Sequence, residues 1–278
     1  MSRVEPLPEA IRLLVSDVDG TLVRDDKSLP EANRDAILAL TAAGVATTLI
    51  SARPPSGMLA LAATLRLTGP MAAFNGGTLV DPDGTIRFAH RLDAADADAM
   101  LRLIDEPGVA PWVYADGAWF VPGLDNSHLA RERIAAAVEP AIRTDFSGLD
   151  GRIDKIVGVS DDHELLVQLE ERARSMIGAR ATIARSHPYY LDFTHLLANK
   201  GAGIAALAQA FGVELAQVAA LGDMANDLPM FARAGLSVAM GQAPACVQAA
   251  ADATAATNEE AGVTDAIVRL VRPRIPRT

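Results

Sequence analysis

Short apolar runs alternate with segments of helical periodicity at both ends of this chain of 278 residues. In the first part, the runs at 11–16, 45–50 and 71–74 predict strands, and the segments at 30–43 and 54–65 predict the helices between them. Strands that are apolar along their whole length and separated by helices are typical of a parallel sheet with helices on both faces. We therefore predict an α/β fold built on a doubly wound parallel sheet.

The end of the chain returns to the same pattern. A helix at 200–211 precedes a strand at 218–221, and a helix at 226–234 precedes a strand at 236–239. Two Ala-rich helices are expected after the last strand. Segments from both ends of the chain should therefore share one sheet.

The middle of the chain has the pattern of an α+β insert. Short candidate strands lie at 111–114, 118–121, 154–159, 181–184 and 189–193, and helical patterns lie near 94–105, 126–138 and 162–177. Strands that are not followed one by one by crossover helices favour an antiparallel sheet with helices on one side. We assign residues 1–83 and 192–278 to a core domain and residues 84–191 to a second domain inserted into it.

Composition and charge exclude several classes of protein. The net charge of −10 and the 4% of aromatic residues leave neither the basic footprint nor the stacking surface of a nucleic-acid-binding protein. The single cysteine, Cys246, cannot close an intrachain disulfide, which favours a reducing compartment. The N-terminus has no basic stretch followed by a long apolar run, so we expect a cytoplasmic protein without a membrane partner. The oligomeric state is not predicted.

Two acidic motifs follow predicted strands directly. Asp17-Val18-Asp19-Gly20-Thr21 comes after the first strand, and Gly222-Asp223-Met224-Ala225-Asn226-Asp227 comes after the strand at 218–221. In open parallel sheets, ligands bind beyond the carboxyl ends of the strands, which is where both motifs fall. Taken singly, the first motif has the alternative of an Asp-Gly turn with solvated acids, and the second that of a helix cap.

As a pair, these motifs resemble the first and fourth motifs of the haloacid dehalogenase (HAD) phosphohydrolase superfamily. The second motif of that superfamily is a Ser or Thr at the end of the next core strand, which Ser51 matches, and the third is a Lys that opens a later helix, which Lys200 matches. Ala52 stands where the family usually has Gly, whereas the serine itself is present.

The position of the insert resembles one branch of this superfamily. The segment between Ser51 and Lys200 is far longer than the roughly 30 residues that one βαβ unit needs, so a domain must lie there. A large α+β cap at this place is similar to the C2B-type cap of the Cof-type branch, subclass IIB. The resemblance implies a Rossmann-like core with an inserted cap that selects the substrate.

The resemblance also implies a reaction. A Mg²⁺-dependent phosphatase would hydrolyse a small phosphorylated metabolite, with a sugar phosphate as the expected substrate. Asp17 would be the nucleophile that forms an aspartyl-phosphate, and Asp19 would be the general acid and base, which requires a raised pKa. The metal ligands would be the side chains of Asp17 and Asp223 and the backbone carbonyl of Asp19, because Mg²⁺ prefers oxygen ligands.

The remaining candidate residues would bind the phosphate or support these acids. Ser51 and Lys200 would stabilise charge on the phosphoryl oxygens. The expected substrate-binding residues are Gly20, Asn75, Asn226 and His187, and the expected supporting residues are Asp227, Thr21 and Arg53. For Asn75, an ordinary Asn-Gly turn stays an alternative. Within the cap, Lys155, Arg185 and Tyr190 are further candidates, and the histidines lack the spacing of a zinc site.

Two other functions stay open at this point. A phosphomutase of the same fold would return the phosphoryl group to a sugar instead of water. A catalytically silent regulatory protein would bind a phosphorylated metabolite without reaction, although the presence of both Asp17 and Asp19 argues for catalysis. A dinucleotide-binding fold is disfavoured, because the first turn carries acids where pyrophosphate requires backbone amides.

Overall fold

Three β-sheets organise residues 10–276, which are the residues described by this computed structural model. The strands are β1 (Leu13–Ser16), β2 (Ala46–Leu49), β3 (Met71–Ala73), β4 (Thr78–Val80), β5 (Ile86–Ala89), β6 (Ala110–Ala115), β7 (Ala118–Val121), β8 (Pro140–Ile142), β9 (Ile153–Val159), β10 (Ala181–His187), β11 (Tyr190–His195), β12 (Val218–Gly222), β13 (Leu236–Ala239) and β14 (Ala253–Thr254). The α-helices are α1 (Glu31–Ala42), α2 (Ser56–Leu65), α3 (Ala94–Leu103), α4 (Leu129–Ala136), α5 (His163–Ile177), α6 (Lys200–Phe211), α7 (Leu228–Phe231), α8 (Ala245–Gln248) and α9 (Gly262–Ala266).

The core sheet is parallel and draws on both ends of the chain. Its strand order is β14-β13-β12-β1-β2, so β1 lies between β12 and β2. Alternate residues of β1 enter different apolar clusters: Leu14 packs in the cluster that contains Ile37 of α1, and Val15 packs in the cluster that contains Ile204 of α6. Both faces of the sheet are therefore covered, which confirms the predicted doubly wound α/β core.

The second sheet forms the cap. Its strand order is β10-β11-β9-β6-β7-β8, and its neighbours are antiparallel except for the β7–β8 pair. Helices α3 and α5 cover one face, where Met100 and Leu166 lie in a shared apolar cluster. The opposite face carries aromatic side chains, among them Trp112 and Tyr190. Leu129 of α4 and Phe74 of the core domain pack in the same cluster, so this face is turned toward the core domain.

The predicted limits of the inserted domain differ from the sheet boundaries. Strand β5 lies after position 84 but pairs with β4 in a small antiparallel sheet, β3-β4-β5, that was not predicted. Strand β11 crosses the limit at 191 and pairs with β9 and β10 as far as His195. The cap sheet thus occupies a segment shifted toward the C-terminus, and the domain limits stay predictions.

Local structure near the C-terminal end also differs from the expectation. The helix predicted at 226–234 is a 3₁₀ turn, Ala225–Asp227, followed by the short helix α7. The cause is the Asp227 carboxylate, which accepts the backbone N–H groups of Asp223 and Met224 and fixes a turn there. The two Ala-rich helices are observed as the short helix α8 and as α9, which continues as a π-helical segment over Ile267–Val271. Within residues 10–276, every helix is too short or too polar to cross a membrane.

Candidate active site

Gly20 allows the two acidic motifs to meet at the carboxyl ends of β1 and β12. These strands are neighbours, and the Asp17 N–H donates to the Leu221 carbonyl at 2.9 Å. Gly20 has a φ of +80°, and a Cβ there would lie 2.4 Å from Oδ2 of Asp223. Thr21 Oγ1 donates to Asp223 Oδ1 at 3.0 Å. The turn of the first motif therefore requires glycine both for its conformation and for its contact with the second motif.

Lys200 joins the two motifs from the first turn of α6. Its ammonium donates to Asp17 Oδ1 at 2.5 Å and to Asp227 Oδ1 at 2.6 Å, and the residue is only 1% exposed. A buried charge is costly unless it is paired and hydrogen-bonded, and both carboxylates meet that need here. Burial alone would lower the pKa of Lys200, but the two acids outweigh it and raise that pKa.

The acids outnumber the cations at this point. Burial raises the pKa of Asp17 well above its usual range, although the Lys200 ammonium opposes part of the shift. Burial, together with the neighbouring Asp227, raises the pKa of Asp223 to about 6. Both shifts indicate carboxylates that lack sufficient positive charge nearby.

The donor atoms fit a divalent cation that prefers oxygen. Carboxyl oxygens of Asp17, Asp223 and Asp227 lie within 4.8 Å of one another, and all three residues are buried. Asp227 is already engaged, because Oδ1 accepts from Lys200 and Oδ2 accepts from two backbone N–H groups. Asp17 and Asp223 are therefore the side chains suited to hold a metal ion, whereas Asp227 orients Lys200 and the loop.

Asp19 lies in a different environment from the one expected for a general acid. Arg53 donates from Nε to Asp19 Oδ2 at 2.7 Å and from Nη2 to Oδ1 at 2.9 Å, and Lys27 Nζ donates to Oδ1 at 2.6 Å. Burial alone would raise the pKa of Asp19, but Arg53 and Lys27 outweigh it and hold that pKa below its usual range. The raised pKa that the role of general acid requires is therefore not present in this arrangement, in which Asp19 is a carboxylate, and the role itself stays a prediction.

Ser51, Asn75 and Asn226 form a hydrogen-bonded group beside these acids. Ser51 is 1% exposed, its Oγ accepts the Arg53 N–H at 3.1 Å, and its carbonyl accepts the Asn75 N–H at 2.7 Å. Asn75 has a φ of +58° and accepts from Asn226 Nδ2 at 3.2 Å. Asn75 is therefore both a turn residue and a neighbour of the fourth motif.

A cavity of about 320 Å³ connects these groups with the cap. Asp17, Ser51 and Asn226 line its core side. The residues that line its cap side are Arg131, Glu132, Ala135, Lys155, Ser186, His187 and Tyr190. The structure thus brings His187 to the same cavity as the core motifs, whereas Arg185 lies outside it and pairs with Glu170 at 2.8 Å.

Sequence reasoning missed several cavity residues, among them Lys27, Arg131 and Glu132. Lys27 lies on the loop after β1, and Arg131 and Glu132 lie on α4. The chain has only three lysines, and this scarcity is a sequence signal that could have drawn attention to Lys27. Arg131 and Glu132 belong to an ordinary charged helix, which gives no such signal. Burial and Arg131 lower the pKa of His187 to about 4, so His187 is a neutral ring near pH 7.

Comparison with known proteins shows the family to which this chain belongs. The family profile of haloacid dehalogenase-like hydrolases matches residues 14–267. The chain belongs to this family. The HAD-like hydrolase is 29% identical over 233 residues to an HMP-PP phosphatase of Cronobacter sakazakii, with 84% of this chain and 85% of the relative covered. It is 27% identical to a 5-amino-6-(5-phospho-D-ribitylamino)uracil phosphatase of Bacillus subtilis, with 92% and 94% covered.

Solved structures share the fold of this HAD-like hydrolase. A haloacid dehalogenase-like hydrolase from Bacteroides thetaiotaomicron is 26% identical, with a TM-score of 0.84 over 94% of this chain and 99% of that one. A HAD subclass IIB sugar phosphatase is 23% identical, with a TM-score of 0.80 over 92% of this chain and 98% of that one. This likeness shows a shared fold alone. The predictions of a HAD phosphohydrolase and of a hydrolase for phosphoric monoesters are confirmed, and the solved structures confirm the predicted fold with its inserted cap.

Proposed function

We propose that this enzyme is a Mg²⁺-dependent phosphatase that hydrolyses a small phosphorylated metabolite through an aspartyl-phosphate on Asp17. The observation that carries the proposal is the contact of Lys200 with Asp17 at one end of a cavity that Ser51 and Asp223 also border. A buried ammonium and a hydroxyl beside a carboxylate suit the binding of a phosphoryl group and its attack by that carboxylate.

The metal ion belongs to the proposal through its donor set. Asp17, Asp223 and the backbone carbonyl of Asp19 would hold Mg²⁺, which supplies positive charge where a phosphate ester meets a carboxylate. The raised pKa values of Asp17 and Asp223 support this, because they show negative charge that Lys200 alone does not compensate.

The reaction divides between two acids. A carboxylate oxygen of Asp17 forms a bond to phosphorus while the bond from phosphorus to the leaving oxygen breaks, and Asp19, which must take up a proton before this step, gives that proton to the leaving oxygen. Asp19 then takes a proton from a water molecule that attacks phosphorus, which releases inorganic phosphate and restores Asp17. The ion pairs with Arg53 and Lys27 stabilise the ionised form of Asp19, which suits its role as the base in the hydrolysis of the aspartyl-phosphate. These ion pairs must weaken when Asp19 takes up a proton.

The cavity supports a small leaving group. Its volume of about 320 Å³ lies at the low end of the range of roughly 300–1,000 Å³ for small-molecule sites. The named relatives act on HMP-PP and on a phosphoribitylamino-uracil, which are small phosphorylated metabolites. We propose a sugar or polyol phosphate as the substrate and, from the single cysteine, a reducing cytoplasmic setting.

Phosphate release from p-nitrophenyl phosphate tests the proposal. We expect turnover with MgCl₂, none after chelation by EDTA, and a loss of at least about a thousandfold in Asp17→Asn. A phosphomutase would instead transfer the phosphoryl group to a sugar without net release of phosphate, and a silent binding protein would do neither. Undiminished turnover in Asp17→Asn would exclude the covalent mechanism.

A further inference from the structure

Helix α4 of the cap rests directly on the core domain beside the cavity. Ser56 Oγ donates to the Ala136 carbonyl at 2.6 Å. The Ala135 carbonyl lies so near Gly57 that a Cβ there would be 2.1 Å from it. These backbone contacts place one side of α4 over the active site, where Arg131, Glu132 and Ala135 line the cavity.

The Glu132 carboxyl group is held in place by a buried tyrosine. The hydroxyl of Tyr114 donates to Glu132 Oε1 at 2.5 Å, and Tyr114 is 3% exposed. Its ring packs against Trp119 of the cap and Phe74 of the core, with centroid distances of 6.0 and 5.7 Å. Because Tyr114 is fixed by packing on both sides, Glu132 is oriented before a ligand arrives.

The cap wall also holds a buried ion pair and a buried hydroxyl group. Lys155 Nζ lies 3.1 Å from Asp192 Oδ1, and both residues are buried on the adjacent strands β9 and β11. Burial raises the pKa of the Tyr190 hydroxyl, and the Glu132 carboxyl, which lies near it, raises that pKa further. Together with Glu132, the wall offers donors and acceptors side by side, which matches hydroxyl groups because each hydroxyl both donates and accepts.

Four cations line the cavity, and within residues 10–276 Lys27, Arg53 and Lys155 each pair with a carboxylate, which leaves Arg131 as the cation that would favour a second anion. Arg131 is exposed, and within residues 10–276 no acid forms an ion pair with it. Solvent screens the charge of an exposed guanidinium, whereas the Glu132 carboxyl is tied to the buried end of the cavity wall by Tyr114. The charge that Tyr114 holds at the cap wall is therefore negative, and it is less exposed to solvent than the charge of Arg131.

We propose that Glu132 is a specificity-determining residue, which favours phosphate esters whose uncharged leaving group bears hydroxyls and disfavours leaving groups with a second negative charge. Tyr114 is the positioning residue for this carboxylate. The inference rests on the proposed phosphatase function. A carboxylate that accepts a substrate hydroxyl forms a charge-assisted hydrogen bond, and the same carboxylate repels a carboxylate on the ligand.

Three esters with different leaving groups test the assignment. Glycerol phosphate carries hydroxyls, propyl phosphate carries none, and 3-phosphoglycerate carries a carboxylate. The wild type is compared with Glu132→Gln, with Tyr114→Phe and with Glu139→Gln, which is the same exchange at an exposed cap residue outside the cavity. For each, kcat/KM is measured, and dissociation constants are measured by calorimetry in an Asp17→Asn background.

In Glu132→Gln, we expect kcat/KM for glycerol phosphate to fall by about tenfold to a hundredfold, mostly through KM. For propyl phosphate it should stay within about twofold, and for 3-phosphoglycerate it should rise. Tyr114→Phe should shift the three esters in the same directions by a smaller factor, and Glu139→Gln should shift none.

Two results would overturn the assignment: an equal change for all three esters in Glu132→Gln, or a wild-type preference for 3-phosphoglycerate that depends on Arg131. The dissociation constants rank the three esters by affinity even if the enzyme hydrolyses none of them. Absent phosphate release from every ester therefore counts against the phosphatase function, whereas an unchanged binding ranking counts against Glu132.

Discussion

Gly20 and Asp223 touch across the junction of the two acidic motifs, so that the carboxylate of Asp223 occupies the space of a side chain at position 20. The contact joins residues from opposite ends of the chain and fixes the direction of an expected metal ligand. Thr21 supports the same carboxylate from the next position. The first motif therefore positions the fourth as well as supplying its own acids.

Gly20→Ala should abolish most of the activity. The new Cβ forces Asp223 to turn away, so we expect kcat to fall by at least about a hundredfold and the Mg²⁺ concentration for half-maximal activity to rise. Gly44→Ala is the matched control, because Gly44 has a φ of +87° with nothing within 4 Å. Both variants should lose about 1–2 kcal/mol of unfolding free energy from the positive φ. Equal activities of the two variants would contradict the role of this contact.

Gly57→Ala should separate the cap from the core while leaving the core folded. A Cβ at this position meets the Ala135 carbonyl of α4, whereas alanine is favourable within a helix such as α2. We expect kcat/KM to fall by about tenfold to a hundredfold and amide exchange in α4 to increase. Ser56→Ala removes the hydrogen bond to Ala136 without a clash and should have a smaller effect. Unchanged exchange in α4 would show that the cap does not depend on this contact.

Asp154 should make stability depend on pH. Burial raises its pKa from 3.8 to about 6, and Arg91 opposes the shift only in part. The folded state thus binds a proton more tightly than the unfolded state, so this residue lowers the unfolding free energy as the pH rises from about 4 to about 6.

Asp154→Asn lacks this titration. Its stability relative to the wild type should rise by about 1–3 kcal/mol between pH 4 and pH 7, as measured by urea unfolding. The same exchange at the exposed Asp150 is the control. A constant difference for Asp154→Asn would mean that this carboxyl is not perturbed by burial.

The core could be predicted from the sequence because its signals are local. Strands that are buried on both faces are apolar throughout, and the acids that follow β1 and β12 fall at the same edge of a parallel sheet whatever the exact register. Helix α6 and strand β13 have the predicted limits. The relative positions of Asp17, Asp223 and Lys200 follow from this topology.

The cap side of the site could not be predicted in the same way. Glu132 reaches the cavity because α4 contacts the core at Gly57, and Lys155 meets Asp192 because two antiparallel strands have one particular register. Such contacts depend on the packing of distant segments and leave no periodic signal. The ion pairs of Asp19 with Lys27 and Arg53 are of the same kind, and they reverse the pKa expected from its role.

Mass spectrometry of acid-quenched enzyme during turnover tests the central claim most directly. With p-nitrophenyl phosphate and Mg²⁺, we predict one acid-stable phosphoryl group on the peptide that contains Asp17, sensitive to hydroxylamine and absent from Asp17→Asn. A phosphoryl group on another residue, or full phosphate release by Asp17→Asn, would contradict nucleophilic attack by Asp17.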